Sequence, residues 1–288
     1  MKKTNLLILF LGLFAVSVWG QTPDAYYKFE QNLDDASGNA RNLTANALNY
    51  SSDAIIDMYA VDCDNDSVGS LYMAHQGYLQ TPFSSKTIAF FIKANSDSLH
   101  RDQLIFEEGG GKGIAVYFEN DSLKAIINDA STASSIGVDY PADDMYHHVA
   151  ATFGESMLKL YLDGVMVGDS STVFSEVTAH TDGGGIGGQC GGANTPGFGS
   201  DSKYFGLMDD FKIFTNVLSP TQIKELIPAS TSLDAYYKFE MDLSDASGMG
   251  RNLTADHINY SSDAANGVYA VDCDNDSVGS LYMAHQGY

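Results

Sequence analysis

The fold is decided by the stretch Met157-Leu158-Lys159-Leu160-Tyr161-Leu162-Asp163-Gly164-Val165-Met166-Val167. Leucines at every second position from Leu158 alternate with a lysine and a tyrosine, so a strand here has one apolar face and one polar face. Asp163-Gly164 favours a two-residue type I′ turn, because both positions need positive φ, and Val165 and Val167 continue the apolar face. With a further strand over residues 148–153, the stretch predicts three antiparallel strands in the middle of a β-sandwich.

Three stretches carry a resemblance to a known family. They are residues 146–152 with the hairpin that follows, residues 86–93, and residues 205–214 with Leu218-Ser219-Pro220. They are similar, in that order, to the central motif, the early core strand, and the closing strand with its short helix of laminin-G-like (concanavalin A-like) jelly-roll domains. The resemblance spans about residues 24–226. It implies an all-β fold, an antiparallel β-sandwich with one short C-terminal helix per module, in which Ser219 is the N-cap and Pro220 the first helical residue.

Residues 1–20 have the pattern of a secretory signal peptide. Lys2 and Lys3 precede a largely apolar segment of 14 residues, which is too short to span a bilayer. We expect cleavage before Gln21. No later stretch approaches 18 apolar residues, so the sequence predicts an exported protein, secreted or displayed on the cell surface, without membrane insertion.

The chain is strongly acidic, with 37 Asp and Glu against 15 Lys and Arg and a formal net charge of −22. Removal of the leader takes away two lysines and makes the charge more negative still. Such a chain repels nucleic acid and anionic membranes, so we expect neither as a partner. Two interpretations of the acidity stay open, namely solubility outside the cell and the binding of a divalent cation.

An internal repeat organises the chain. Residues 24–78 recur as residues 234–288 with a constant offset of 210, and 43 of the 55 positions are identical. A period this long indicates duplication of a whole domain. The sequence therefore predicts a jelly-roll domain over residues 21–228, a linker over residues 229–233, and the truncated start of a second repeat over residues 234–288. We expect the second copy not to form a closed domain by itself and the native protein to continue.

Catalysis is not indicated. Glycan hydrolysis on this fold needs two carboxylates about 5–9 Å apart, and no Glu-x-Asp-x-Glu or Glu-x-Asp-x-x-Glu run occurs. Glu107 and Glu108 are adjacent, so on a strand they point to opposite faces. The same holds for His147 and His148, which therefore cannot share one metal ion. The sequence predicts that the protein is not an enzyme.

Sugar binding is the function that the fold and the aromatic content favour. The single tryptophan lies in the leader, but four tyrosines near predicted loops are candidate platforms for a sugar ring: Tyr50, Tyr72, Tyr78 and Tyr204. Ordinary packing is the alternative for each. We predict a non-catalytic module for carbohydrate binding or adhesion, whose partner is a glycan or an extracellular protein. The alternatives are an accessory or spacer region of a larger exported polysaccharide-degrading enzyme, with its catalytic domain beyond residue 288, and a purely structural module.

The cysteines suggest one disulfide in each complete repeat. An exported chain meets an oxidising compartment, and the repeat maps Cys63 onto Cys273, whereas the counterpart of Cys190 would lie past residue 288. We therefore predict a Cys63–Cys190 disulfide, with Cys273 left over. The alternative is three unpaired thiols.

The segment over residues 208–214 carries an aspartate among apolar residues. Period-two alternation places Asp209 on the same face as Phe211 and Ile213, and a carboxylate buried there would need a partner.

A calcium ion is the partner that the sequence suggests for Asp209. Asp35, Asn39 and Asn42 form an oxygen-rich turn after the first strand, and the first and last strands of a jelly roll are commonly neighbours. The resemblance implies the same arrangement, since relatives bind calcium at such a turn and closing-strand aspartate. We predict one structural Ca²⁺ held by these four residues. The alternative is that Asp209 accepts from backbone amides and Asp35 makes an ordinary Asx-turn.

A second acidic run, Asp62-Cys63-Asp64-Asn65-Asp66, places carboxylates at positions 1, 3 and 5 of a loop. An EF-hand also needs Gly at position 6 and Glu at position 12, where this chain has Ser67 and Met73. The run is therefore not an EF-hand, and a different cation loop and an acidic surface turn both stay open.

Overall fold

The computed structural model describes residues 21–45, 47–63, 71–73, 77–189, 196–199 and 202–228, and short pieces of the chain between residues 243 and 283. Its contacts divide the chain into one compact unit ending at Leu226 and a second beginning at Ile227. Within the described residues, no helix is long and apolar enough to span a bilayer.

The first unit consists of two antiparallel sheets facing each other. The eight-stranded sheet contains, in sheet order, β13 (Val165–Ser171), β12 (Met157–Leu162), β11 (Tyr146–Gly154), β6 (Ser85–Ala94), β15 (Gly206–Phe214), β4 (Ala60–Asp62) and β3 (Asn49–Ser51), and β1 (Ala25–Tyr27) pairs with β15 as well. The seven-stranded sheet contains β10 (Thr132–Asp139), β9 (Ser122–Asp129), β8 (Lys112–Glu119), β7 (Gln103–Glu107), β14 (Gly184–Ile186), β5 (Leu71–Met73) and β2 (Thr44–Ala45). The helical pieces are α1 (Gly77–Gln80), a 3₁₀ turn (Ser96–Ser98) and α2 (Pro220–Leu226). The predicted all-β antiparallel sandwich is confirmed.

Aromatic rings join the two sheets at the centre of the core. Phe211 on β15 stacks on Phe90 of the neighbouring strand β6, with 5.3 Å between ring centroids. A second contact crosses to the seven-stranded sheet, where the ring of Phe106 lies 5.3 Å away, and a third joins Phe211 to Tyr27 of β1 at 6.3 Å. All four side chains are completely buried. Aromatic pairs at this spacing add to the stabilisation from burial, so Phe211 fixes how the sheets pack.

The predicted hairpin and its type I′ turn are confirmed. Asp163 and Gly164 both have positive φ, 50° and 75°, and β11 pairs with β12 on one side and β6 on the other. The expected apolar face of the return strand is wrong, because Val165 is 65% exposed and Val167 38%. β13 is the last strand of its sheet, and the opposite sheet does not cover these two side chains.

A β-bulge corrects the predicted orientation of Asp209. On β15, Asp209 pairs with Phe91 and Lys212 pairs with Ala89, so β15 has one residue more than β6 over this interval. Asp210 takes up the extra residue with a positive φ of 56°. A bulge reverses the side-chain alternation, and Asp209 therefore lies on the outer face with Phe91, away from the face of Phe211 and Ile213.

The outer face of the eight-stranded sheet has a small core of its own, formed by α2. Ser219 Oγ accepts from the amide of Gln222 at 3.3 Å, and Gln222 Oε1 accepts from the amide of Ser219 at 2.8 Å. This reciprocal pair is a capping box and confirms the predicted helix start. Behind it, Leu218 and Ile223 pack on Tyr161 and neighbouring outer-face residues. The sheet is thus covered on both faces where α2 lies.

The second unit repeats the strand pairing of the first. β16 (Leu253–Ala255) pairs with β19 (Leu281–Met283), and β17 (Tyr260–Ser261) pairs with β18 (Ala270–Val271). Shifted by 210 residues, the register of Thr254 with Tyr282 is that of Thr44 with Tyr72 in the first unit. The expectation that this unit does not close by itself stays a prediction.

A buried ion pair connects the two sheets at one end of the sandwich. The ammonium of Lys86, at the start of β6, contacts the carboxylate of Glu108, just after β7, and both side chains are at most 1% exposed. Glu108 Oε2 also accepts from the amide of Ile114 at 3.0 Å. The Lys86 Nζ lies 3.5 Å from the ring centroid of Phe83, and burial lowers the pKa of Lys86 to about 7.

We expect Lys86→Met to lower the free energy of unfolding by about 3–5 kcal/mol, because it leaves the Glu108 carboxylate buried without its cation. Urea unfolding of the full chain measures the change. Lys28→Met is the matched control, since the Lys28–Asp57 pair is exposed and such pairs contribute at most about 1 kcal/mol. Adding Glu108→Gln to Lys86→Met should restore part of the loss. Equal effects of the two lysine substitutions would contradict the prediction.

Candidate binding cleft

A cleft of about 740 Å³ lies on the outer face of the eight-stranded sheet, beside the start of α2. Its floor comes from β11 and β12, through Thr152, Lys159 and Tyr161. One wall is residues 217–220 with Gln222. The opposite wall contains Ser84, Ser85, Gly154, Glu155, Met157, Ser175 and Glu176. Ligand sites of small molecules typically have this size.

The alternation of the two central strands determines the floor. Val149, Ala151 and Phe153 of β11 belong to the core between the sheets, so Thr152 points outward. Leucines 158 and 160 are in the same core, and Lys159 and Tyr161 therefore share the outer face with Thr152. In the register of the two strands, Thr152 stands directly opposite Lys159.

Two polar side chains on the floor are almost entirely buried and have no hydrogen-bond partner among the described residues. They are Thr152 and Tyr161, each 1% exposed. Burial also raises the pKa of Tyr161. Neither oxygen belongs to the fully buried polar atoms that lack a partner, so both hydroxyls reach the surface of the cleft and can bond to a ligand. The floor therefore has unused hydrogen-bonding capacity where a ligand would sit.

Charged groups in the cleft are also unpaired. Glu155, Lys159 and Glu176 line the cleft, and within the part of the chain that the structure describes none of them forms an ion pair. Elsewhere in the unit lysines do find carboxylates, as Lys124 does with Glu119 and Lys93 with Asp53. The cleft thus presents two carboxylates and one ammonium group to solvent or ligand.

Backbone constraints hold the wall opposite α2. Phe83 and Val177 exchange two backbone hydrogen bonds, at 3.1 and 2.9 Å, which sets Ser84 beside Glu176. Glu155 itself has a left-handed φ of 52°, a conformation that costs free energy in a residue with a side chain and is often found at functional sites.

Gly154 brings the two walls close together. A Cβ at this position would lie 2.3 Å from Cγ2 of Val217. The glycine therefore lets the β11–β12 turn pack against the Val217 side chain, and a larger residue here would require that side chain to turn away.

Among the described residues, none of the four predicted tyrosine platforms lines this cleft. Tyr204 is completely buried in the core, and its hydroxyl donates to the carbonyl of Leu207 at 3.2 Å, so its prediction as a ligand platform is wrong. Its amide donates to the carbonyl of Gly187 at 3.1 Å, which holds it beside β14 rather than in a surface loop.

Tyr78 is half-buried, and the Arg41 guanidinium lies 3.6 Å from its ring centroid, so one ring face is already occupied. Tyr50 is half-buried against the core. The side chain of Tyr72 lies outside the described residues. The sequence feature that points to the cleft is instead the pair of outward-facing residues of the hairpin, Lys159 and Tyr161.

The predicted calcium turn holds itself together with hydrogen bonds. Asp35 Oδ1 accepts from the amides of Tyr26 and Ser37 at 3.0 and 2.9 Å, and Oδ2 accepts from the amide of Arg41 at 3.0 Å. Asn42 Oδ1 accepts from the amide of Asp35 at 2.9 Å. Burial opposes ionisation of Asp35, but the hydrogen bonds outweigh it and lower its pKa. Asn39 lies in the same turn and donates to the carbonyl of residue 24 at 3.0 Å.

Asp209 has a different set of partners. Its Oδ2 accepts from the amides of Ile55 and Ile56 at 3.1 and 2.9 Å, whereas Oδ1 is buried without a hydrogen bond. Burial raises the pKa of Asp209 to about 7, against the effect of the amides. Among the described residues, no group of three or more His, Cys, Asp or Glu side chains is placed to hold a metal ion. These contacts are those of the Asx-turn and backbone-amide alternative, and calcium at Asp35, Asn39, Asn42 and Asp209 stays a prediction.

If the protein binds calcium, its thermal melting midpoint should be higher in calcium than in excess chelator. The size of the difference depends on the calcium concentration relative to Kd. Asp209→Asn should remove the difference while retaining an oxygen acceptor for the amides of Ile55 and Ile56. Thermal melts of the full chain in the two buffers measure this. Equal midpoints for the unsubstituted protein would contradict the calcium prediction.

Cys63 is buried directly after β4, and its amide donates to the carbonyl of Gly206 at 2.9 Å. A Cβ built on Gly187 would lie 3.1 Å from Cys63 Sγ, so the thiol packs beside the segment that leads to Cys190. Cys190 itself lies outside the described residues, and the disulfide stays a prediction. The acidic run beyond Cys63 also lies outside them.

Two adjacent histidines point to opposite sides of β11, as expected. His148 is buried against the ring of Phe91, 4.9 Å away, and burial lowers its pKa to about 4. His147 lies between two carboxylates, with Nδ1 2.7 Å from Asp163 Oδ2 and Nε2 3.1 Å from Asp143 Oδ1. Burial alone would lower the pKa of His147, but Asp163 and then Asp143 outweigh it and raise the pKa.

The raised pKa of His147 gives a pH dependence with a definite sign. Its protonated form is stabilised in the folded state, so this contribution is complete below the unfolded pKa of about 6.5 and is lost as pH rises through the folded value. We expect His147→Gln to reduce stability more at pH 5 than at pH 9 in urea unfolding. His100→Gln, at an exposed histidine, should give no such difference. The same loss at both pH values for His147→Gln would contradict the assignment.

The comparisons with known proteins agree with this architecture. A family model for the concanavalin A-like lectin/glucanases superfamily matches residues 65–224. The chain belongs to this superfamily. A search of curated proteins found no match.

Several solved structures similar to this superfamily member are named as binding domains. The binding domain of Paraclostridial Mosquitocidal Protein 1 has a TM-score of 0.60 at 13% identity, covering 92% of this chain and 68% of that one. Domain 4 of AbnA, an extracellular arabinanase from Geobacillus stearothermophilus solved with arabinotriose, has a TM-score of 0.54 at 15% identity, covering 72% and 98%. The receptor binding domain of botulinum neurotoxin C/D mosaic serotype has a TM-score of 0.56 at 16% identity, covering 83% of this chain and 56% of that one. At these identities the likeness shows the fold.

Proposed function

We propose that this chain is a non-catalytic carbohydrate-binding module of a secreted or surface-displayed protein, and that the cleft beside α2 holds the sugar. The observation that carries the proposal is the pair of hydroxyls of Thr152 and Tyr161 on the cleft floor, which make no hydrogen bond among the described residues although their side chains are almost entirely buried. A site with unpaired polar groups selects ligands that can bond to them.

The composition of the walls suits a sugar. Hydroxyl groups of Ser84 and Ser175 and the charged groups of the cleft offer donors and acceptors at several heights. Met157, Val217 and Pro220 give the same cleft apolar surface, against which the C–H face of a sugar ring can pack. Clefts that combine mostly apolar contact with a few directed polar groups are typical ligand sites.

The structural neighbours support a sugar as the ligand. Domain 4 of the arabinanase was solved with arabinotriose, and a neurotoxin type C structure concerns cell entry that depends on two ganglioside molecules. The leader-like residues 1–20 fit an extracellular role. These are properties of other proteins and of the sequence pattern, and they support the proposal.

The arabinanase match favours one alternative. Domain 4 is matched over 98% of its length and belongs to a larger extracellular enzyme, so this chain could equally serve as the accessory region of a polysaccharide-degrading protein. Because Glu155 and Glu176 line the cleft, sugar release from each bound glycan should be measured alongside binding.

We expect the full chain to bind at least one glycan on an array, with affinity then measured by calorimetry. Tyr161→Phe and Thr152→Val should each weaken binding about 3- to 10-fold, since each removes one neutral hydrogen bond. Tyr117→Phe is the matched control, because it removes the hydroxyl of a buried tyrosine on the seven-stranded sheet.

Each other outcome has a definite meaning for this experiment. Binding that is unchanged in both floor variants would place the sugar elsewhere, and failure to bind any glycan would favour the purely structural alternative. Sugar release that disappears in Glu155→Gln or Glu176→Gln would show catalysis and overturn the non-catalytic assignment.

A further inference from the structure

We infer that the cleft selects neutral glycans over acidic ones, and that Glu155 and Glu176 are the residues that impose this selection. The inference rests on the proposed function, because it assigns the class of sugar to the same cleft. It follows from the position of the charges, from their lack of partners and from the charge of the whole chain.

The two carboxylates stand at the rim of the cleft. Glu155 is the first residue of the tight turn between β11 and β12, and Glu176 lies in the segment joined to Phe83 by the Val177 backbone bonds. Both side chains are exposed. The one cation of the lining, Lys159, is half-buried on the floor and stands opposite Thr152. An incoming ligand therefore meets negative charge before it reaches the lysine.

No described residue neutralises this rim. Glu155 and Glu176 take part in none of the ion pairs of the described residues, so no ammonium or guanidinium group offsets either carboxylate. A ligand carboxylate or sulfate placed between them would set like charges side by side in a partly dehydrated site, which opposes binding. Lys159 alone cannot offset two carboxylates.

The rest of the protein adds to the same effect. With a formal net charge of −22, the chain repels anions as they approach and slows their association. Salt screens distant charges, with a Debye length of about 8 Å at physiological ionic strength. The repulsion between a ligand anion and the carboxylates it touches at the rim acts over less than this distance and persists at physiological salt. Added salt should therefore weaken the preference for neutral glycans without abolishing it.

A neutral sugar satisfies the same groups without bringing in a charge. Its hydroxyls can donate to the carboxylates of Glu155 and Glu176 in charge-assisted hydrogen bonds, which are stronger than neutral ones. Its oxygens can accept from the ammonium of Lys159. The same carboxylates thus attract one class of sugar and repel the other, which is how specificity is commonly built.

Matched glycan pairs test the inference on the full chain. Each pair shares one backbone and differs in one acidic group, such as lactose with lactose 3′-sulfate, or a cello-oligosaccharide with its C6-oxidised uronate form. We expect the neutral member to bind about 10-fold more tightly or better in every pair that binds. In the double variant Glu155→Gln with Glu176→Gln, the ratio should fall to about 3-fold or less, chiefly because the acidic member gains affinity.

The control variant is Glu119→Gln, which changes a carboxylate of the seven-stranded sheet that pairs with Lys124 and should leave the ratio unchanged. Equal affinities within the pairs, or a preference for the acidic member, would overturn the inference while leaving the proposed function standing. A ratio that the double variant does not change would overturn the role of these two residues. Failure to bind either member of any pair would overturn the proposed function and the inference together.

Discussion

The eight-stranded sheet is packed against other parts of the chain on both of its faces, and the rest of the first unit depends on this constraint. The inner face packs against the other sheet through Phe211, Phe90 and Phe106. The outer face is covered in two places, by α2 with its small core and by the loop whose amides reach Asp209. Outward-pointing side chains that would be solvated on a one-sided sheet are therefore buried.

The candidate cleft lies at the edge of the part of the outer face that α2 covers. Tyr161 packs under α2 with its apolar ring, and its hydroxyl and that of Thr152 reach the gap between α2 and the β11–β12 turn. Both hydroxyls are therefore open to a ligand although the rest of each side chain is covered. Asp209 and His148, elsewhere on this face, each have a fully buried polar atom without a hydrogen bond.

Features that depend on neighbouring residues could be predicted from the sequence. The leucine alternation, the Asp163-Gly164 turn and the Ser219 cap all follow from local periodicity and local hydrogen bonding, and all three are present. The registers shared by the two units are local as well. All twelve positions at which the repeats differ lie outside the strands of the first unit.

Features that depend on distant contacts could not be predicted. The three-residue spacing between the core residues Met208 and Phe211 is a trace of the bulge. Leu207 lies at regular spacing from Phe211 with Asp209 between them, so the sequence does not choose between the two alternations until the register with β6 is known. The burial of Tyr204 depends on the path of the segment before it, and the cleft depends on how α2 docks. For the candidate site, the sequence predicts that Lys159 and Tyr161 face outward. It does not predict the gap above them.

The close approach of Gly154 to Val217 has a consequence for how such modules diversify. A side chain at position 154 requires the Val217 side chain to turn away or to become smaller, so the two positions are linked although 63 residues separate them. A descendant of this protein can remodel the width of its cleft through paired exchanges at these two sites, whereas a single exchange at position 154 displaces the Val217 side chain from the cleft wall. Divergence at this surface is therefore expected to proceed by compensated steps.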